Sequence, residues 1–259
     1  MPSATSQSYA KDTILALQDY SLLAFRAIAN LFSAPRYWDD IYTQMDSIGI
    51  GSLPIVVLTG FFTGCVLALQ SVTALKEFGA VSKTGSLVAL SMVKELGPVL
   101  TGLMVSGRNA SGMASEIGSM KVTEQIDAMR ALGTDPVRKL VTPRLYATIF
   151  MLFFLTILSD AFGIAGGALI SVALLGLNGS TYFHNSYRAL QYGDVVQGLT
   201  KPLFSGFIIA TVGCYFGMNT KGGTQGVGKS TTQAVVVSSV FIIIVDLLVT
   251  RAMIGIFGR

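Results

Sequence analysis

Five long apolar stretches, separated by short polar ones, set what this chain can fold into. They run over residues 53–75, 87–107, 145–177, 197–218 and 234–257. At 1.5 Å per residue, the first spans roughly 35 Å, enough for a hydrocarbon layer of about 30 Å. Only 12% of the residues are charged, against about 25% in soluble domains. So much apolar length in 259 residues leaves no room for a soluble catalytic domain. The expected fold is an all-α integral membrane protein with about five transmembrane helices. N-terminal amphipathic interfacial helices (residues 1–50) precede a transmembrane permease-like domain (51–259), and the cytoplasmic stretch 108–144 carries a short helix.

Residues 14–32 place Ile14, Leu17, Leu22, Phe25, Ile28, Leu31 and Phe32 on one helical face, with Lys11, Gln18, Asp19, Arg26 and Asn30 elsewhere. Pro35 breaks the run. A second short pattern follows at Trp38, Ile41, Tyr42, Met45 and Ile48. Both read as helices lying in the membrane interface, with Tyr37 and Trp38 at headgroup level. No secretory signal pattern opens the chain.

Basic residues orient the spans. With the N-terminus inside, the inner side holds Lys11, Arg26, Arg36, Arg108, Lys121, Arg130, Arg138, Lys139, Arg144, Lys221 and Lys229. The outer side holds Lys76, Lys83, Arg188, Lys201 and Arg259. The excess favours a cytoplasmic N-terminus. Gly60/Gly64, Gly163/Gly167 and Gly213/Gly217 have the GxxxG spacing that permits close helix approach, and together they imply a tight bundle.

Gly223 to Ser230 satisfies GxxxxGK[ST], yet a phosphate loop needs a strand before it and a βαβ unit around it. Here an apolar membrane-length run precedes it, so it reads as a glycine-rich cytoplasmic turn. Cys65 and Cys214 read as small buried hydrophobes, His184 as a surface residue, and Asn178-Gly-Ser180 as a chance sequon. No nucleophile–base pair or metal-spaced cluster can be assembled, so no enzyme activity, cofactor, metal or nucleic-acid partner is expected. In the cytoplasmic stretch, Thr123 reads as a helix N-cap, Glu124 and Asp127 lie in the first turn, Arg130 near the last and Gly133 past the end. Val122, Ile126 and Met129 form its apolar stripe, suited to the membrane surface or to a groove on a partner.

The run VALSMVKELGPVLTGLMVSGRNASGMASEIGSMKVTEQIDAMRALGTDPVRKLVTPR resembles the MlaE/YrbE permease family, the membrane subunits of bacterial lipid-transport ABC systems. The ELGPV, GRxxSGxxxEIGxM, TEQIDAM and LGxDP blocks carry the resemblance, which extends over about 49–258. It implies a homodimeric, non-catalytic permease in the bacterial inner membrane, carrying lipid, with phospholipid the expected cargo. It implies two further partners: a separate cytoplasmic ABC ATPase and an outer-side MCE-domain lipid-binding protein. The helix with Val122, Glu124, Ile126, Asp127, Met129 and Arg130 would be the coupling helix that docks in the ATPase.

Two further sites are expected. An ionised residue at mid-bilayer costs roughly 2.5–3.5 kcal/mol on insertion scales. The fifth segment tolerates Asp246, since its aliphatic and aromatic residues contribute about −6 kcal/mol. The cost still demands partners, so Lys94, Glu95, Asp246 and Lys201 are expected to form a cross-helix network, either a packing device or a gate. Pro98 lacks the N–H that would bond the carbonyl of Lys94, which should loosen the helix there. Leu67, Gln70, Leu75 and Phe78, towards the outer end of the first segment, are the candidate lipid-cavity residues. The alternative function is an ion-coupled secondary transporter using Glu95, Asp160 and Asp246, although no paired inverted repeats with broken helices are visible.

Overall fold

The computed structural model describes residues 4–31, 37–174 and 176–257. Phe32, Pro35, Arg36 and Arg259, used above, lie outside the described residues. Helices α1 (Ala4–Leu31), α2 (Trp38–Met45), α3 (Gly51–Glu77), α4 (Thr84–Ser91), α5 (Gly97–Val105) and α6 (Ser111–Val122) come first. Then follow α7 (Gln125–Ala131), α8 (Thr142–Ala173), α9 (Gly179–Ala189), α10 (Tyr192–Met218) and α11 (Gly223–Phe257). There is no strand among the described residues. Five helical runs are long and apolar enough to cross a membrane: Trp38–Glu77, Val81–Val122, Val137–Ala173, Tyr192–Met218 and Gly223–Ile256. The chain is therefore a multi-pass, all-α membrane protein, as expected from its apolar segments.

Three of these runs are longer than their apolar segments, because wide π-helical turns splice shorter helices without a break. One such turn at Asp46–Ile50 joins α2 to α3. The interfacial pattern from Trp38 thus runs straight into the first span rather than ending before it. Turns at Met92–Leu96 and Ser106–Ala110 join α4, α5 and α6 into a run of 42 residues. That is about 63 Å, twice the hydrocarbon thickness. Residues 108–122, expected as loop, are therefore a helical extension beyond the bilayer. A further turn at Val137–Val141 leads into α8.

Glycine sets the closest approaches. A Cβ at Gly60 would lie 2.7 Å from the Ser159 carbonyl, and one at Gly64 would overlap the Gly163 backbone. The GxxxG pairs of α3 and α8 thus face each other. Gly217 of α10 sits where a Cβ would come within 2.7 Å of Ile117 on α6. Backbone contact of this kind replaces the hydrophobic drive that lipid cannot supply. The helix α1 is tied to α10 by Tyr20 Oη and Thr211 Oγ1 at 2.9 Å, and by Tyr215 Oη donating to the Ala16 carbonyl at 3.1 Å. Its apolar residues Ile14, Leu17, Leu22, Phe25 and Ile28 stay exposed.

The GxxxxGKS run occupies the opening turns of α11. It follows a bend whose Gly222 and Gly223 have φ of +89° and +66°. The run is helical, so the tight turn expected there is confined to the residues before it. Asn178 is the N-cap of α9, its Oδ1 accepting from the Ser180 N–H at 2.9 Å.

Candidate functional site

The strongest concentration of buried charge lies where α4–α5 cross α10 and α11. Lys201, in the middle of α10, has a side chain only 2% exposed. Its ammonium forms ion pairs with Glu95 and, at 2.9 Å, with Asp246 Oδ1 of α11, although the latter lacks hydrogen-bond alignment. It also donates to the carbonyl of Lys94 at 2.8 Å. Of the three N–H donors of a lysine, the hydrogen bonds to Glu95 and to the Lys94 carbonyl engage two, and Asp246 is held as an ion pair. The carbonyl of Lys94 is the one that Pro98 cannot bond, and the π turn Met92–Leu96 presents it to Lys201.

Glu95 has two further donors. Gln197 Nε2 and Thr250 Oγ1 each lie 3.2 Å from its Oε1. Its side chain is nevertheless 40% exposed, so the cluster is buried on the lysine side and open on the glutamate side. One cation faces two carboxylates, which leaves a formal negative excess at a membrane-embedded position. Of the four expected members, the structure brings Glu95, Lys201 and Asp246 together. Lys94 turns instead to Asp194, 3.0 Å away at the start of α10. The pattern missed Asp194, Gln197 and Thr250. Asp194 reaches Lys94 from the first turn of α10, four residues from Gly198, whose missing Cβ lets Val93 come close.

Asp160 stands apart. It is buried in α8 against Gly97, and its Oδ1 has no hydrogen-bond partner among the described residues.

The candidate lipid-cavity residues lie along the C-terminal half of α3 and just past its end. Phe78 lies just past the end of α3 and is 79% exposed, Gln70 is exposed, and Leu75 is half-buried. Leu67 lines an open groove of about 450 Å³ with Leu58, Thr59, Phe62, Thr63 and Val66. The groove lies nearer the Gly51 end of α3 than expected.

The coupling-helix residues divide into two groups. Ile126 is fully buried in a core with Ile117, Val137, Leu140 and Val141, and Met129 packs against that core. Of the apolar stripe expected to anchor a partner, Ile126 and Met129 are thus turned to the chain's own bundle, because a short helix needs tertiary packing to hold it, and Val122 is half-buried. Glu124, Asp127 and Arg130 are exposed, as are Ala128, Ala131 and Leu132, the last by 84%. Thr123 is not the N-cap: it ends α6, and its Oγ1 donates back to the Ser119 carbonyl at 2.9 Å. Glu124 takes that place with φ of +59°, a left-handed conformation costing about 1 kcal/mol or more for a non-glycine residue. Gly133, at φ +79°, follows α7 as expected. Lys121 Nζ donates to Asp127 Oδ2 at 2.8 Å, and Arg130 lies 3.3 Å from Oδ1. The hydrogen bond from Lys121 leads in holding the Asp127 carboxyl below its ordinary range, with both cations adding to it.

Residues 41–252 match the family described as Permease MlaE. A "Probable ABC transporter permease protein" of Rickettsia typhi is 43% identical over 232 residues, covering 90% of each chain. The chloroplastic protein TRIGALACTOSYLDIACYLGLYCEROL 1 of Arabidopsis thaliana is 36% identical over 225 residues, covering 87% of this chain and 64% of that one. The intermembrane phospholipid transport system permease protein MlaE of Haemophilus influenzae is 32% identical over 245 residues, covering 94% of each. A five-span helical bundle with this extent of match identifies the chain: it belongs to the MlaE permease family.

Proposed function

We propose that the chain is the non-catalytic permease subunit of an ABC transporter that moves phospholipid between a bacterial inner membrane and an outer-side MCE-domain carrier. It works as a homodimer with its N-terminus in the cytoplasm, and a separate ATPase drives it. The observation that carries this is the match, nearly end to end, to a protein named as an intermembrane phospholipid permease. In support, the helical extension beyond the bilayer ends in α7, whose exposed face of Ala128, Ala131, Leu132 and flanking charges is free to dock a partner.

The Glu95–Lys201–Asp246 cluster acts as the gate. A zwitterionic or anionic headgroup reaching the exposed side of Glu95 competes for the ammonium of Lys201, and the π turn allows the helix to adjust beside it. Movement of α7 with the ATPase passes along the continuous run α6–α5–α4 to that turn.

Co-purification tests the assembly. The ATPase should accompany the wild-type chain, and Leu132→Asp should release it while the permease still inserts. Ile126→Asp should instead unfold α7 and its core. Retention of the ATPase and full transport by Leu132→Asp would remove the docking role.

A further inference from the structure

Arg108 lies in the π turn Ser106–Ala110, roughly thirteen residues and 20 Å along the helix from Glu95. Its guanidinium is held firmly. Nη1 donates to the Ser47 carbonyl at 2.9 Å and to Ser52 Oγ at 3.0 Å. Asn109 Nδ2 donates to the same hydroxyl at 3.1 Å. Ser47 belongs to the π turn Asp46–Ile50, so two irregular turns meet at this point. The guanidinium lies on Gly51, where a Cβ would sit 2.7 Å from Cζ.

The side chain is nonetheless exposed and makes no ion pair among the described residues. The hydrogen bonds engage Nη1 alone; Nη2 packs on Gly51, and the Nε–Nη2 edge has no hydrogen-bond partner among the described residues. That edge has the two-pronged geometry that suits phosphate. An arginine so placed, with no carboxylate, is incomplete without an anion.

Two features locate the anion. Gly51 begins α3 at the polar end of the first span, after Asp46 and Ser47 and before a long apolar run, so Arg108 sits at headgroup level. At 100° per residue, Gly51 and Ser52 flank the α3 face that carries Leu58, Thr59, Phe62 and Val66. That face is the open groove, beginning about 10 Å from Gly51 and ending at Leu67, about 24 Å away. One leaflet with its headgroups measures about 20–22 Å. A fixed cation thus stands about 10 Å from the near end of a largely apolar groove about 13–14 Å long, so that cation and groove together span about one leaflet.

We propose that Arg108 binds the phosphate diester of a membrane phospholipid whose acyl chain lies in the α3 groove. The site is in the leaflet on the α6 side, at the opposite end of the span from Phe78. It deepens the lipid-permease reading by adding a headgroup site, and the two can fail separately.

The test uses the full-length chain with its co-purified ATPase in phosphatidylcholine nanodiscs. Phosphatidylglycerol with a photoactivatable acyl chain is the probe, and crosslinked peptides are located by mass spectrometry. Label is expected on the segment 58–67, falling about ten-fold in Arg108→Gln, the loss of a charge-assisted contact. Arg108→Lys should retain most of it. In wild type, diacylglycerol with the same photoactivatable chain should label this segment about ten-fold less, a comparison that needs no variant to fold. Equal labelling by diacylglycerol, or unchanged labelling in a folded Arg108→Gln, would overturn the proposal. So would release of the ATPase by Arg108→Gln with the label intact, which would assign the guanidinium to a partner carboxylate. Quenching of the label by inorganic phosphate would reassign the site to a free anion. Lipid transfer, measured alongside, separates the readings. Transfer without Arg108-dependent label removes the site only, and Arg108-dependent label without transfer counts against the permease reading.

Discussion

Lys201 illustrates how strongly a single buried charge constrains its surroundings. Its ammonium is enclosed by Glu95, Asp246 and the Lys94 carbonyl. Replacing it with methionine leaves two carboxylates facing each other with no cation between them. Breaking a buried pair in this way costs on the order of 3 kcal/mol, at the lower end here because Glu95 is partly exposed. Lys201→Met should therefore lower the melting temperature in detergent, and adding Glu95→Gln should recover part of the loss. Equal melting of wild type and Lys201→Met would mean the lysine is not holding the carboxylates. Asp127 gives a prediction outside the membrane. Its carboxyl is held below the ordinary value of about 3.9. The contribution to α7 is present above that ordinary value and disappears as pH falls through the lower folded value. NMR titration of Asp127 should give a midpoint below that of Asp127 in Lys121→Met, and coincident midpoints would contradict it. Much of the charge cluster was legible because a buried charge must find an opposite one, and few candidates exist in an apolar chain. Asp194 was not, because nothing local showed that it lies beside Lys94 rather than in the outer loop.

At the scale of elements, small residues decide which helices touch. A methyl group at Gly64 overlaps the backbone of Gly163, whereas one at Gly228, in the first turns of α11, meets nothing within 4 Å. Gly64→Ala should destabilise the bundle by about 1–3 kcal/mol through overpacking. Gly228→Ala should be neutral or stabilise by about 0.5–1 kcal/mol by favouring the helix. Unfolding in mixed micelles measures both, and equal effects would show that the α3–α8 contact does not set stability. The GxxxG spacings made the tight approach visible in advance. The extension of the second span through residues 108–122 was hidden, because a run rich in glycine and serine reads as loop. Within that run, Ala110, Ala114 and Ile117 pack on Gly213 and Gly217 of α10. The stripe Val122, Ile126, Met129 misled for a related reason: an amphipathic pattern reports that a face is buried, not whether the chain itself or a partner buries it.

For the whole molecule, the continuous run Val81–Val122 joins the charge cluster to the turn at Thr123–Glu124 that precedes α7. On the proposed function, movement of a partner docked on α7 would pass through that turn and along the run to the cluster. On the same reading, the groove on α3 and the cluster at Glu95 would be the two places where lipid rests. The most direct measurement is lipid transfer per assembled complex in proteoliposomes, comparing wild type with Glu95→Gln and Asp246→Asn. If the cluster is the gate, both variants should assemble with the ATPase and transfer lipid about ten-fold more slowly, as expected for the loss of one charge-assisted contact. Wild-type transfer by both assembled variants would contradict it and leave the cluster a packing device only.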